Sequence, residues 1–358
     1  MRSVAIVGAT GVVGQQFVVA LQKHPWFNIV KLAASQRSAG KTYEEALKRE
    51  GGSLGWFCDE EPNPEVLKMK VEDASTIEVD DCDLIFTALE SDQAVILEPK
   101  YAKEKPVIST ASAFRYEPDV PILVPGVNTE HVDLIFRQRE RRGWRGFITP
   151  IPNCTTTGLV ITLKPIYDRF GINRVFMTSM QAVSGAGRSP GVLALDIVDN
   201  VIPYIPKEEE KVQTETLKIL GRLGPQGIEY APFKVSCTCT RVNVKDGHTE
   251  SVFVSAKNPL TVEGVKEAMN EAGSDLKRLK LPSAPHKMIH VLDDPFRPQP
   301  RLDRNREDGM ATTVGRIRLD DALENGVKYL LVSHNTKMGA AKGAVLVAEL
   351  LEVKNVLG

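Results

Sequence analysis

The run Pro150-Ile151-Pro152-Asn153-Cys154-Thr155-Thr156-Thr157-Gly158 sets a cysteine just ahead of an apolar stretch, Thr155 to Phe170, that is predicted to be a helix. A helix N-terminus offers free N–H groups and the positive end of the peptide dipole, so a thiol there is drawn towards its nucleophilic thiolate form. The bland alternative for a free cysteine is a small buried apolar residue. Of the five cysteines, Cys58 and Cys82 have no comparable context. Cys237 and Cys239 lie two apart on a predicted strand, without a second Cys or His pair, and no metal site is expected. A thiolate needs a proton partner, and of six histidines only His248 stands in a grouping. Lys245-Asp246-Gly247 reads as a turn between two apolar-alternating strands, Thr240 to Val244 and Thr249 to Val254, with Arg241 on the first. Arg241 and His248 share a face of this hairpin if its loop has four residues, which puts Asn243 opposite His248; one residue of slip separates them. A surface histidine at a turn is the alternative.

The second chemical signal is Gly8-Ala9-Thr10-Gly11-Val12-Val13-Gly14, between a predicted strand, Ser3 to Val7, and a predicted helix, Val12 to Lys23. Glycines at such a turn let a pyrophosphate approach the N–H groups that open the helix. After the next predicted strand, Ile29 to Ala34, an NAD pocket places a carboxylate for the ribose hydroxyls, but Ser35-Gln36-Arg37-Ser38-Ala39-Gly40-Lys41 contains no acid. Hydroxyls and a guanidinium suit a 2′-phosphate, which predicts NADP(H) as cofactor with Ser35, Arg37 and Ser38 as ligands.

These residues must be positioned by a sizeable framework, and 358 residues are enough for two or three domains. Predicted strands at Leu84 to Leu89, Val107 to Ser109 and Ile122 to Pro125, with a helix over Ala94 to Glu104, extend the first strand–helix–strand unit. Together they form an N-terminal Rossmann-like, doubly wound parallel sheet, and the fold class is α/β. Beyond it, Arg174 to Ala182, Lys234 to Val244 and Glu250 to Ala256 read as longer antiparallel strands faced on one side, in a C-terminal α+β domain with a mixed sheet. The expected division is 1–150 for the cofactor domain and 151–335 for the catalytic and dimerisation domain. A C-terminal helix over 336–358, opened by Gly339, Ala340, Ala341 and Gly343, packs back on the first. With 45 Lys+Arg against 46 Asp+Glu, nucleic acid and anionic membranes gain no general electrostatic hold. Apolar runs are too short to span a bilayer, the first residues lack a secretory h-region, and the odd cysteine count suits a reducing compartment; a cytoplasmic protein is expected.

Several motifs together resemble one family, the aspartate-semialdehyde dehydrogenases, in their archaeal and fungal branch. The resemblance spans essentially the whole chain. It rests on the Gly-Ala-Thr-Gly-x-Val-Gly start, Pro152-Asn153-Cys154-Thr155, and Gln181-Ala182-Val183-Ser184-Gly185-Ala186-Gly187. Glu208-Glu209-Glu210-Lys211, Arg241 with His248, and Asn335 complete it. It implies NADPH-dependent reductive dephosphorylation of L-aspartyl 4-phosphate to L-aspartate 4-semialdehyde and phosphate, in biosynthesis of aspartate-derived amino acids. It further implies Cys154 as nucleophile, His248 as acid/base, and Gln181 and Asn153 as orienting residues. Arg241 would clamp the α-carboxylate and Glu208, with Glu209 as alternative, would pair with the ammonium. Arg115 and Lys211 would hold the phosphate. On the cofactor side the resemblance implies Gly8, Thr10, Gly11, Val12, Val13, Gln36 and Thr87. It adds Ser184, Gly185 and Gly187 beside the nicotinamide, with Asn335 closing the pocket. A homodimer or homotetramer is the implied assembly. The rivals are an acyl-CoA reductase of the malonyl-CoA type on the same framework, and a non-enzymatic NADP-binding sensor in which Cys154 is inert.

Overall fold

A computed structural model describes residues 1–187 and 191–358, which fall into two compact units. The first unit comprises residues 1–121, 132–151 and 340–358, and the second residues 122–131 and 152–339.

The first unit is built on a parallel sheet of β1 (Arg2–Val7), β2 (Phe27–Ala34), β3 (Val71–Asp73), β4 (Leu84–Thr87), β5 (Pro106–Ser109) and β6 (Phe147–Pro150), in the order β3-β2-β1-β4-β5-β6. Strands β4, β5 and β6 are buried at every position, as parallel strands covered by helices on both faces must be. The helices include α1 (Val12–Leu21), α2 (Ser91–Ala102), α3 (Leu134–Arg142) and the C-terminal helix Ala341–Val353, which lies against α1. Sheet order reverses between β1 and β4, the switch point at which open α/β sheets bind ligands. Gly8 ends β1 at φ +86°, where a Cβ would stand 2.2 Å from the Ala88 carbonyl oxygen; at Gly14 a Cβ would meet the Gly8 oxygen as closely. No side chain fits either place.

The strand expected over Ile122 to Pro125 does not form; the sixth strand is Phe147–Pro150. The 122–125 segment is buried, but its backbone bonds to a side chain instead of a ladder. Asn128 accepts from the Val124 N–H and donates to the Ile122 carbonyl.

In the second unit, α4 (Cys154–Phe170) leads into a mixed sheet of β7 (Ile172–Gln181), β8 (Val201–Ile202), β9 (Lys234–Val242), β10 (His248–Ala256), β11 (Ile289–Leu292), β12 (Thr312–Asp320) and β13 (Gly326–Ser333). Its order is β11-β12-β13-β10-β7-β9-β8. Helices α4, α5 (Glu208–Ile219) and α6 (Val262–Glu271) lie side by side on one face. Buried Val175, Met177, Val252 and Val254 point to that face, each stabilising by about 1.5–3 kcal/mol through transfer from water. On the opposite face of β7, Arg174, Phe176 and Thr178 are exposed.

Two sequence expectations fail here. Strands β9 and β10 do not form a hairpin, because β7 lies between them, and β7 pairs with β9 in parallel. Asn243 therefore does not stand opposite His248, whose partner on β13 is Ser333. A local turn signal says nothing about a third strand arriving from sixty residues upstream.

Candidate active site

The helix α4 starts where it does because Asn153 caps it. The Asn153 Oδ1 accepts from the Thr155 and Thr156 amides, and Pro150 and Pro152 keep the approach extended. Cys154 is thus the first helical residue, and its Sγ lies 3.1 Å from His248 Nε2. The strand register supplies the rest. Arg241 on β9 is level with Gln181 on β7, and Thr249 on β10 with Met180, so His248 flanks Gln181 from the other side. Arg241, Gln181 and His248 make one row on the helix-covered face, under the α4 N-terminus.

The Ala182 peptide ties this row together. Its N–H donates to His248 Nδ1 at 3.0 Å and its carbonyl accepts from Arg241 Nη1 at 2.9 Å. A backbone N–H only donates, so Nδ1 carries no proton and the neutral ring presents Nε2–H to the sulfur. His248 is wholly buried; burial, with the nearby charge of Arg241 and then of His334, pushes its pKa down to about 3. Arg241 is likewise pulled below its usual range by burial. The pair is a neutral imidazole donating to sulfur beside a permanent cation, at the positive end of a helix. That suits a thiolate nucleophile and an oxyanion forming next to it.

Gly185 and Gly339 make room. A Cβ on Gly185 would stand 3.0 Å from Arg241 Nη1 and 3.1 Å from His248 Cε1, and one on Gly339 would stand 3.0 Å from the Cys154 Cβ. Asn335 accepts from the Gly247 N–H and donates to Ser184 Oγ, tying the Ser184 segment to the turn before His248. Gly187 follows at positive φ.

Asn153 is held by two carboxylates. Glu215 Oε2 accepts from its backbone N–H at 2.6 Å, and Glu208 Oε1 from its Nδ2 at 2.9 Å. Lys211 Nζ lies 3.7 Å from Glu208 Oε2. Glu209 turns away, its Oε1 accepting from the Cys239 N–H on β9, so Glu208 is the acid beside the nucleophile's cap. Sequence reasoning missed Glu215, although it lies two helical turns beyond Glu208 on the same face of α5. It also missed Glu250, wholly buried on β10 two residues past His248, with neither carboxyl oxygen bonded to a described residue and its pKa pushed well up by burial. Gln181 itself donates to Ser179 Oγ. Among the described residues no His/Cys/Asp/Glu cluster could hold a metal.

The cofactor candidates Gly8 to Thr87 lie in the first unit, and Ser184, Gly185, Gly187 and Asn335 in the second. Gly11 precedes α1 with no side-chain cap and no acid in the first turn, so the Val12 and Val13 amides open the helix without intrahelical acceptors. Thr10 is held from behind, its carbonyl accepting from Gln15 Nε2. At the end of β2, Ser35, Gln36 and Arg37 are exposed and Ser38 is buried in the turn they make. A Gly8 loop that a Cβ would fill, open helix amides and an acid-free, hydroxyl-bearing rim fit a dinucleotide with a 2′-phosphate. Thr87 ends β4 wholly buried, its hydroxyl donating to Glu98 and its carbonyl accepting from the Thr110 amide and hydroxyl. Arg115 lies in this unit as well, with Nε on the Ile151 carbonyl and Nη2 on the Thr110 carbonyl.

Comparison with known proteins matches residues 3–135 to the family model "Semialdehyde dehydrogenase, NAD binding domain" and residues 163–338 to "Semialdehyde dehydrogenase, dimerisation domain". The chain is 48% identical to an aspartate-semialdehyde dehydrogenase of Methanothermobacter thermautotrophicus over 98% of this chain and 99% of that one. It is 43% identical to that of Candida albicans over the full length of both. A crystal structure of aspartate semialdehyde dehydrogenase with NADP from Candida albicans superposes with a TM-score of 0.89 at 39% identity, covering 99% of this chain and 100% of that one.

Proposed function

The chain belongs to the aspartate-semialdehyde dehydrogenase family, and from that premise we propose how its residues perform the NADPH-dependent conversion of L-aspartyl 4-phosphate to L-aspartate 4-semialdehyde. The Cys154–His248 contact at the α4 N-terminus carries the reading. The Cys154 thiolate attacks the acyl carbon, the carbon–oxygen bond to phosphate breaks, and a thioester remains on Cys154. The proton taken up by the net reaction leaves with the phosphate. Bound NADPH supplies a hydride to the thioester carbonyl. The His248 Nε2–H, released from sulfur by acylation, donates to the oxyanion, and Cys154 leaves as the carbon–sulfur bond breaks and the aldehyde forms.

Around this centre Arg241 holds the α-carboxylate, Glu208 the ammonium, and Arg115 and Lys211 the phosphoryl group, while Asn153 and Gln181 orient nucleophile and substrate. Gly8 to Val13, Ser35 to Ser38 and Thr87 hold NADP(H), with Ser184, Gly185, Gly187 and Asn335 on the nicotinamide side. Family membership favours this over an acyl-CoA reductase or a sensor with an inert cysteine. The protein works in the cytoplasm, where NADPH and a reduced thiol are maintained. It assembles at least as a homodimer through the exposed face of β7, β9 and β10, where Phe176 keeps 42% of its surface exposed; the match to a dimerisation domain over this region supports it.

The test is NADP reduction that requires both aspartate semialdehyde and phosphate or arsenate, together with mass-spectrometric trapping of an aspartyl thioester on Cys154. Oxidation of NADPH by malonyl-CoA without phosphate dependence would replace this reading with the reductase.

A further inference from the structure

Glu98 on α2 is wholly buried beneath the carboxyl ends of β4 and β5. Its Oε1 accepts from Thr87 Oγ1 and from Ser109 Oγ, each at 2.6 Å, while its Oε2 is buried with no partner among the described residues. Around this carboxyl the rim is cross-linked. Ser109 Oγ accepts from the Ala111 N–H, the Thr110 hydroxyl and amide both donate to the Thr87 carbonyl, and Arg115 Nη2 donates to the Thr110 carbonyl. A carboxyl in this place is neither a surface acid nor half of a closed ion pair. It joins the last side chains of two adjacent strands at the side of the switch point opposite β2.

That side has a chemical identity. If the 2′-phosphate of the cofactor lies at Ser35 to Ser38 beyond β2 and its pyrophosphate at the α1 N-terminus, the dinucleotide crosses the switch point and its nicotinamide half extends over β4 and β5. The oxidised ring carries one positive charge and the reduced ring none. We propose that Glu98 is the positioning residue of the β4–β5 rim and that its carboxyl sets the relative affinity of this crevice for oxidised and reduced cofactor. The proposal rests on the NADP reading of the crevice.

Two opposing effects govern the charge of Glu98. Burial pushes its pKa up to about 7, against the two hydroxyl donors and the charge of Arg115, which favour ionisation. A further titratable group interacting with it is Tyr101 on its own helix, whose hydroxyl donates to the Ala74 carbonyl. Below pH 7 Glu98 is neutral and itself offsets none of the Arg115 charge, and the reduced, uncharged ring is favoured. Above pH 7 the carboxylate offsets that charge and the oxidised ring gains.

The experiment is direct titration of the full-length protein with NADP+ and with NADPH, by calorimetry or quenching of intrinsic fluorescence, between pH 6 and 8.5. The ratio Kd(NADPH)/Kd(NADP+) cancels the titration of the shared 2′-phosphate. It should rise about fivefold with an inflection near pH 7, and Glu98→Gln, which keeps the acceptor for both hydroxyls, should make it flat. Ser109→Ala removes one donor that holds the pKa down and should move the inflection to higher pH. A flat wild-type ratio, or a Glu98→Gln protein with the wild-type slope, overturns the proposal while leaving NADP binding intact. Failure of either cofactor form to bind overturns the NADP reading and this proposal with it.

Discussion

A neutral His248 changes what is asked of the pair. With Nδ1 committed to the Ala182 N–H, the ring has one proton to lend, and it points at Cys154. We therefore expect Cys154→Ala to abolish turnover while NADP binding, read by titration, is retained; wild-type turnover in that protein would remove Cys154 from the mechanism. His248→Asn should slow turnover by about 10²- to 10⁴-fold. Since burial and Arg241 hold the imidazole near 3, the pH profile of kcat/KM should show no inflection near 6.5 that disappears in His248→Asn.

At the scale of elements, the α4 N-terminus and the Ala182–Gly187 segment are the parts that must be held. Asn153→Ala removes the cap, at a cost of about 1 kcal/mol, and also takes the Nδ2 donor away from Glu208 Oε1, while the backbone N–H that Glu215 accepts from is kept. A drop in Tm together with a loss of kcat is expected, and a protein losing Tm alone would show that the cap does not place Cys154. Gly185→Ala tests the opposite side. Its methyl would press on Arg241 and His248 without disturbing the core, so kcat/KM should fall at least tenfold with Tm nearly unchanged.

For the whole molecule, the buried imidazole makes stability depend on pH. The folded-state pKa is depressed from 6.5 to about 3, so between those values the unfolded chain binds the extra proton and stability falls as pH falls. Relative to His248→Asn, which does not titrate, the wild type should lose about 1.4 kcal/mol per pH unit below 6.5 in urea unfolding at pH 7, 6 and 5. A constant difference would mean that the histidine is solvated or charged in the native state. Assembly is tested separately. Phe176→Arg, on the exposed face of β7, tests the proposed dimer: light scattering should give a dimer mass for the wild type and a monomer mass for the variant, and an unchanged mass would place the interface elsewhere.

What the sequence determined was local. The glycine loop, the acid-free end of β2 and the cysteine at a helix start were legible because each is a short run whose backbone chemistry leaves few alternatives. Periodicity likewise marked β1, α1, β4 and α4 as elements within a few residues of their ends. What only the tertiary structure decided was pairing between distant segments. Nothing in Lys245-Asp246-Gly247 reveals that β7 enters between β9 and β10, yet that insertion aligns Arg241, Gln181 and His248 and brings Ala182 to both the charged Arg241 and the neutral His248. Glu98, Glu215 and Glu250 were invisible for the same reason. A glutamate on a helix or strand reads as solvated until its neighbours in space are known, and burial, which sets its charge, is a property of the packed molecule.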